Sequence, residues 1–314
     1  ARAARATLGS GAWTDCATLY HSVCSTSMVV LGGYNGSWAA GDAVLPRHVL
    51  LLTAHPDDEC MFFAPTIQAF RTRNIHYLPY ASHKVGVHKN LLTPGNADGL
   101  GTLRARELKE SYSVLGVPEE QVTCLEDACV LFHCVPTNIS ALQDGMKTQW
   151  DPAHVRDVVA AHMAGRDVDA IITFDADGIS LHPNHRALYH GATLVRDTWT
   201  GINPPTVFAL QTLSWRTKFT GPVASVLQRI APHDLLVLAP LRAYFVALQA
   251  MRRHATQLVW FRYLYVLFSS YMHANDFLSY PNWLHMSLIS EKFKVRKNKY
   301  LADTLPFGWL ISGH

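Results

Sequence analysis

Several things are scarce in this chain, and each scarcity removes a class of protein. Its six cysteines, Cys16, Cys24, Cys60, Cys124, Cys129 and Cys134, form no CxxC pair. So few, so scattered over 314 residues, argue against a disulfide framework and for free thiols in a reducing compartment. Charge is sparse too: 16% of residues are Asp, Glu, Lys or Arg, and the formal net charge is +3. That balance is mildly basic and far from a nucleic-acid-binding composition. Residues 1–46 hold no stretch approaching the ~20 apolar residues of a membrane span, and no complete signal peptide. The chain starts at Ala1 rather than methionine, as expected of a processed or truncated product. There is no internal repeat and no low-complexity tract.

What is present centres on Leu50 to Phe63, LLLTAHPDDECMFF. The run His48 to Ala54 has the length and branching of a buried strand. Cys60 to Arg73 reads as a helix, and Asp57, Asp58 and Glu59 stand where a helix start favours acceptors and acids. The polar knot is therefore a strand-to-helix turn at the carboxyl end of a strand, where open α/β sheets bind ligands. A phosphate-binding turn would carry glycine there, and this one has none. One imidazole and three carboxylates within five residues make it a metal site or an acid/base site.

From residue 47 onward strands and helices alternate. Strands are expected at Ile75 to Ala81, Val122 to Leu125, Asp169 to Asp175, Val207 to Thr212 and Leu235 to Ala239. Helices are expected at Thr102 to Leu115, stopped by Gly116 and Pro118, at His154 to Ala164 and at Pro183 to Thr198. Ser82 to Gly101 reads as a polar loop, and His76, His83 and His88 as loop histidines without ligand spacing. The alternation implies an α/β fold, Rossmann-like, with a mainly parallel sheet and helices on both faces. The expected organisation is an N-terminal segment of unclear structure (1–46), an α/β domain (47–240) and a C-terminal helical extension (241–314).

A second turn matches the first. Asp169 to Asp175 runs into Asp177-Gly-Ile-Ser-Leu-His182-Pro-Asn-His185, again a strand ending in imidazoles at a helix entry. Parallel strands bring their carboxyl ends to one edge, so the two turns can face each other. His55 and Asp58, three apart around a proline bend, are candidate ligands for one metal, with His185 as the third. Two histidines and a carboxylate, with a position left for water, make the ligand set of a hydrolytic zinc site. Asp57 and His182 remain beside it as candidate general base and as the group that polarises or protonates. Taken alone, HPDDE could be a helix cap, and HPNH capping on a surface; two such turns at matching strand ends make coincidence a poor account.

On these residues the sequence resembles the metal-dependent N-acetylglucosaminyl de-N-acetylases. The blocks are AHPDDECMFFAPT (54–66), GTLRARELKESYSVLGVP (101–118), MKTQWDPAHV (146–155), ITFDADGISLHPNHRALY (172–189) and HATQLVWFRYLYVLFSSYM (254–272). The QWD block and the last block are similar to the phosphatidylinositol-glycan branch. The resemblance implies zinc, or another divalent metal, on His55, Asp58 and His185, with Asp57 as base. It makes His182 the residue that stabilises the oxyanion and protonates the amine, and Arg104 and Asn184 substrate-binding residues. It implies a GlcNAc-phosphatidylinositol lipid as substrate, deacetylated in the second step of glycosylphosphatidylinositol-anchor synthesis at the cytoplasmic face of the endoplasmic reticulum membrane. Two alternatives keep other substrates or roles: a deacetylase of a soluble GlcNAc conjugate, or a silent metal-binding subunit of a membrane complex. Thr102 stands where the family often has an acid, and Leu181 where the phosphatidylinositol branch usually has glycine; Asn184 fits that branch.

Leu241 to Ala274 reads as a long helical pattern, aromatic-rich, with Arg262 inside it. It is either an interfacial helix meeting a bilayer or a core helix capping the sheet. Lys292 to Lys299, with five basic residues in eight, is either a site for anionic headgroups or a solvated charge run.

Overall fold

A computed structural model describes residues 29–32, 46, 48–72, 88–91, 100–124, 149–223 and 234–280. Their strands form one eight-stranded sheet: β1 (Val29–Gly32), β2 (Val49–Thr53), β3 (His88–Leu91), β4 (Val122–Cys124), β5 (Ala170–Phe174), β6 (Thr206–Leu210), β7 (Leu235–Leu238) and β8 (Ala274–Tyr280). The order is β1-β7-β8-β6-β5-β2-β3-β4, and the five strands from β6 to β4 pair in parallel. Within that parallel block the chain winds outward from β2 through β3 to β4, then returns to lay β5 and β6 on the other side. The reversal falls between β2 and β5, which makes the crevice above those two strand ends the switch point of a doubly wound sheet. All five residues of β2 and all five of β5 are buried, as expected of strands covered on both faces.

The described helices are α1 (Asp58–Met61), α2 (Ala64–Thr72), α3 (Gly101–Val114), α4 (Pro152–Met163), α5 (Gly178–Leu181), α6 (Pro183–Asp197), α7 (Trp215–Lys218), α8 (Leu241–Met251) and α9 (Trp260–Phe268). α3 ends as its sequence requires. Gly116 sits at φ +80, its N–H and that of Val117 closing on Ser113 and Tyr112 carbonyls, and a Cβ there would fall 2.1 Å from the Arg71 guanidinium. α4 starts on Asp151, whose Oδ1 accepts from the Ala153 N–H at 3.0 Å. α4 and α6 pack closely because Gly191 has no side chain: a Cβ would lie 2.4 Å from Val155 Cγ1.

The structure corrects three expectations. The helix expected over Cys60 to Arg73 is two helices broken at Phe62 and Phe63, because Pro65 cannot donate to the Met61 carbonyl and its ring would meet that turn. The break drops Phe62 edge-on among Phe174, Tyr265, Tyr271 and His185, at centroid distances of 5.5 to 5.9 Å. The polar stretch from Ser82 contains β3, so His88 opens a strand that hydrogen-bonds to both β2 and β4. The helical pattern from Leu241 to Ala274 is two helices, α8 and α9, followed by β8, which lies antiparallel between β6 and β7. Residues beyond 240 thus supply a strand to the interior of the sheet. The strand expected at Ile75 to Ala81, with His76 and His83, and the basic run at Lys292 to Lys299 lie outside the described residues.

Candidate metal centre

Each turn presents its side chains because backbone geometry is held from below. After β2, Asp58 turns back on the strand: its Oδ2 accepts from the Ala54 and His55 N–H groups, both at 2.9 Å. Asp57 carries a left-handed φ of +92, unusual outside glycine. After β5, Asp175 accepts from the Asp177 and Gly178 N–H groups at 3.1 and 2.9 Å and from Thr212 N–H and Oγ1, each at 2.6 Å. The loop that follows is strained, with Gly178, Ile179 and Leu181 at φ +58, +65 and +60. A leucine at +60 stands in the left-handed region that glycine takes without a Cβ penalty. Lys218, buried, donates to the Ile179 carbonyl at 2.8 Å.

The two turns converge. His185 Nε2 lies 3.3 Å from His55 Nδ1 and 3.3 Å from Asp58 Oδ1, and His55 Nδ1 lies 3.8 Å from Asp58 Oδ2. Ligand atoms bound at ~2.0–2.1 Å to one tetrahedral ion are about 3.3–3.4 Å apart; His185 stands at that separation from both His55 and Asp58 Oδ1, while His55 and Asp58 Oδ2 are somewhat wider at 3.8 Å, a donor set suited to a metal of that kind. His182 joins them, its ring 4.7 Å from that of His55, with a nitrogen within 4.8 Å of nitrogens of His55 and His185. Burial by itself would raise the Asp58 pKa, but the attraction of His185 and His55 and their hydrogen bonds outweigh it. The carboxyl is held well below the usual carboxylate range.

Neighbours fix which nitrogen of each ring faces the centre. His185 Nδ1 is 3.2 Å from the Gly178 carbonyl and its N–H donates there, so that when the ring is neutral Nε2 carries the lone pair on the ligand side. Phe174 stacks flat on the same ring at 3.9 Å. The Asn184 N–H donates to His182 Nδ1 at 3.3 Å, so a neutral His182 carries its proton on Nε2. The Asn184 amide, fully buried, lies 3.2 Å from His55 Nε2, and its Oδ1 has no hydrogen-bond partner among the described residues. Turning that amide over satisfies Oδ1 with the His55 Nε2–H and leaves Nδ1 bare toward Asp58 and His185.

All five central residues, His55, Asp57, Asp58, His182 and His185, are therefore brought together at the switch point. Asn184 stands behind His55. Arg104 lies on the buried face of α3, one turn before Glu107. Other residues of the site carried no signal as single positions. Trp150 is buried with its ring 6.2 Å from His55. His254 and Gln257, from the chain between α8 and α9, and Arg262, on α9, reach the first turn, and only their place in the block from 254 to 272 pointed towards them.

A metal-type ligand set at a doubly wound switch point, with a second carboxylate and a third imidazole at its edge, defines a metal-dependent hydrolase. A family model described as PIG-L, GlcNAc-PI de-N-acetylase, matches residues 50–195. The chain is 31% identical over 256 residues to the probable N-acetylglucosaminyl-phosphatidylinositol de-N-acetylase of Schizosaccharomyces pombe, covering 80% of this chain and 94% of that protein. It is 31% identical over 265 residues to the N-acetylglucosaminyl-phosphatidylinositol de-N-acetylase of Bos taurus, covering 81% and 96%. Among solved structures, the N,N'-diacetylchitobiose deacetylase of Pyrococcus horikoshii aligns with a TM-score of 0.48 at 14% identity, over 76% of this chain and 86% of that one. The chain belongs to the PIG-L family of GlcNAc-PI de-N-acetylases, an enzyme family of metal-dependent deacetylases.

Proposed function

We propose that this protein hydrolyses the acetamide of GlcNAc-phosphatidylinositol to acetate and glucosaminyl-phosphatidylinositol, the deacetylation step of glycosylphosphatidylinositol-anchor synthesis, with zinc as its metal. The observation that carries this reading is the convergence of His55, Asp58 and His185, with separations of 3.3 to 3.8 Å and His182 against them, next to Asp57 in the chain. His55, Asp58 and His185 would hold the ion. Once bound it supplies Lewis-acid activation of water near neutral pH. Asp57 accepts the proton of the attacking water as the carbon–oxygen bond forms. His182, its Nδ1 already accepting from Asn184, offers Nε2–H to the developing oxyanion. As the carbon–nitrogen bond breaks, a proton passes to the leaving amine, giving a free glucosamine and acetate. In this reading Asn184 acts on His55 in place of a sugar contact, and Arg104 is kept for the substrate side.

The membrane surface is part of the proposal. α9 turns its apolar side outward: Trp260, Tyr263, Leu264, Leu267 and Phe268, spaced i, i+3, i+4, i+7 and i+8, are each between 49% and 66% exposed. The same helix carries buried Arg262 inward to Asp57. A helix with an aromatic and aliphatic outer face beside the site suits a lipid-linked substrate presented at the cytoplasmic face of the endoplasmic reticulum. No described helix is long and apolar enough to cross a membrane.

The test is release of glucosaminyl-phosphatidylinositol from GlcNAc-phosphatidylinositol in vesicles, with chelator and with zinc add-back. Loss with chelator and recovery with zinc is the expected outcome. A fully metal-loaded protein that leaves the lipid untouched would overturn the substrate. Recovery with iron or manganese but not zinc would overturn the metal.

A further inference from the structure

The first turn does not hold itself. Three buried side chains, His254, Gln257 and Arg262, and the half-buried Thr256 grip it or its support from one stretch about two hundred residues further along. His254 Nε2 lies 2.6 Å from Glu59 Oε1, in a pair with no exposed surface. Thr256 donates to Glu107 on α3 through its N–H at 3.0 Å and its hydroxyl at 2.6 Å. Gln257 Nε2 donates to the Pro56 carbonyl at 2.8 Å. Arg262 Nη1 pairs with Asp57 Oδ2. Glu59 closes the arrangement, accepting from Ser111 Oγ at 2.5 Å on Oε1 and from the Asp57 N–H at 3.0 Å on Oε2.

These contacts meet at the residue whose conformation most needs support. Asp57 is a non-glycine at φ +92, a strained backbone state of the kind that persists where surroundings over-determine it. Its N–H is fixed through Glu59 to His254, the carbonyl before it is held by Gln257, and its carboxylate by Arg262. We propose that His254, Gln257 and Arg262 form a brace that positions Asp57, with Arg262 setting the orientation of its carboxylate for proton transfer. The proposal rests on Asp57 being the base of the reaction above. Arg262 is thus a positioning residue, and the aromatic helix that carries it joins the outer face of the protein to the reacting centre.

The test compares Arg262→Met and Arg262→Lys with the parent in the metal-loaded, full-length protein. It reads kcat, KM, bound metal and hydrogen exchange at the Asp57 amide. Arg262→Met is expected to lower kcat about 100-fold, the cost of misplacing a reacting group by roughly 1 Å. KM should stay within about threefold and bound metal unchanged, while Asp57 amide exchange rises about tenfold; a carboxylate-binding lysine should recover part of kcat. Unchanged kcat, or loss of metal in parallel with loss of activity, would overturn the proposal.

Removing a buried cation beside a buried carboxylate can itself unfold a protein. The pair Asp57→Asn and Asp57→Asn/Arg262→Met removes both charges. If Arg262 acts through Asp57, the second substitution adds no further fall to the residual rate; an added tenfold fall overturns the proposal. Should the parent fail on GlcNAc-phosphatidylinositol, the substrate reading falls alone. The brace is then decided by Asp57 amide exchange, where a rate in Arg262→Met equal to the parent's overturns it.

Discussion

The two turns that build the site are alike in sequence and unlike in how they are held. Both follow a fully buried parallel strand, and both place a His-Pro pair ahead of a helix. The first, His55 to Glu59, is buried throughout and clamped by side chains from the far end of the chain. The second, Asp177 to His185, is held mainly by its own neighbours Asp175, Thr212 and Lys218, and stays half open: Leu181 is 49% exposed. A ligand cage gains from the first kind of support, because an ion needs donors fixed to a few tenths of an ångström. A lip that admits a sugar gains from the second. The second turn combines both: its end is buried at His185, while Leu181 lies half exposed at its lip.

The sharpest way to break this comparison is to damage each turn at its central residue. Asp58→Ala should lose both metal and activity, since it removes a ligand and the acceptor for two backbone N–H groups; metal analysis beside the acetate-release assay reads both. His182→Ala should keep the metal and lose about 10²–10⁴ in kcat, the usual worth of general acid–base catalysis. If His182→Ala emptied the site as Asp58→Ala does, His182 would be a ligand and its role as the acid of the reaction would fall.

A smaller effect is expected at the lip. Leu181→Gly removes a left-handed leucine, whose conformation costs about 1 kcal/mol, and gives up a side chain already half in solvent. Urea unfolding should place the variant within about 1 kcal/mol of the parent or above it, with any functional change in KM. A larger destabilisation would show that Leu181 carries packing which its exposure does not suggest.

How much of this was legible follows from what each segment spends its residues on. β2 and β5 are apolar on both faces, so strand, turn and helix entry could be read directly, and with them all five central residues. β3 was missed because His88-Lys-Asn-Leu is polar in a strand that pairs on both sides. β8 was missed because its Asn275 and Asp276 interrupt the apolar run. Asn275 is used inward, accepting from Thr66 Oγ1 at 2.7 Å and donating to the Phe62 carbonyl at 2.7 Å, which no periodicity reveals. α9 misled in the opposite sense. Five of its large apolar residues face out and its arginine faces in beside Tyr265 and Val266, the reverse of the pattern from which a soluble helix is read. The brace depends on contacts between residues 195 to 205 positions apart, which only the folded chain displays.

The smallest effect tests the support of the second turn through its charge. Burial lowers the Lys218 pKa to about 8 against an ordinary 10.5, although Asp175 pulls it the other way. Below pH 8 the lysine is protonated folded or unfolded, and the full cost of burying the cation is present. Between about 8 and 10.5 the unfolded chain holds a proton that the folded one lacks, so stability rises with pH, by at most about 1.4 kcal/mol per unit. Above 10.5 both forms are neutral and the cost is gone. Lys218→Met keeps the length of the side chain and has no proton to lose. Urea unfolding of parent and variant at pH 7.0 and 9.5 should therefore show the parent gaining on the variant as pH rises. Parallel behaviour would mean that Lys218 stays charged in the fold, held by Asp175 against its burial, and that the second turn rests on an ion pair after all.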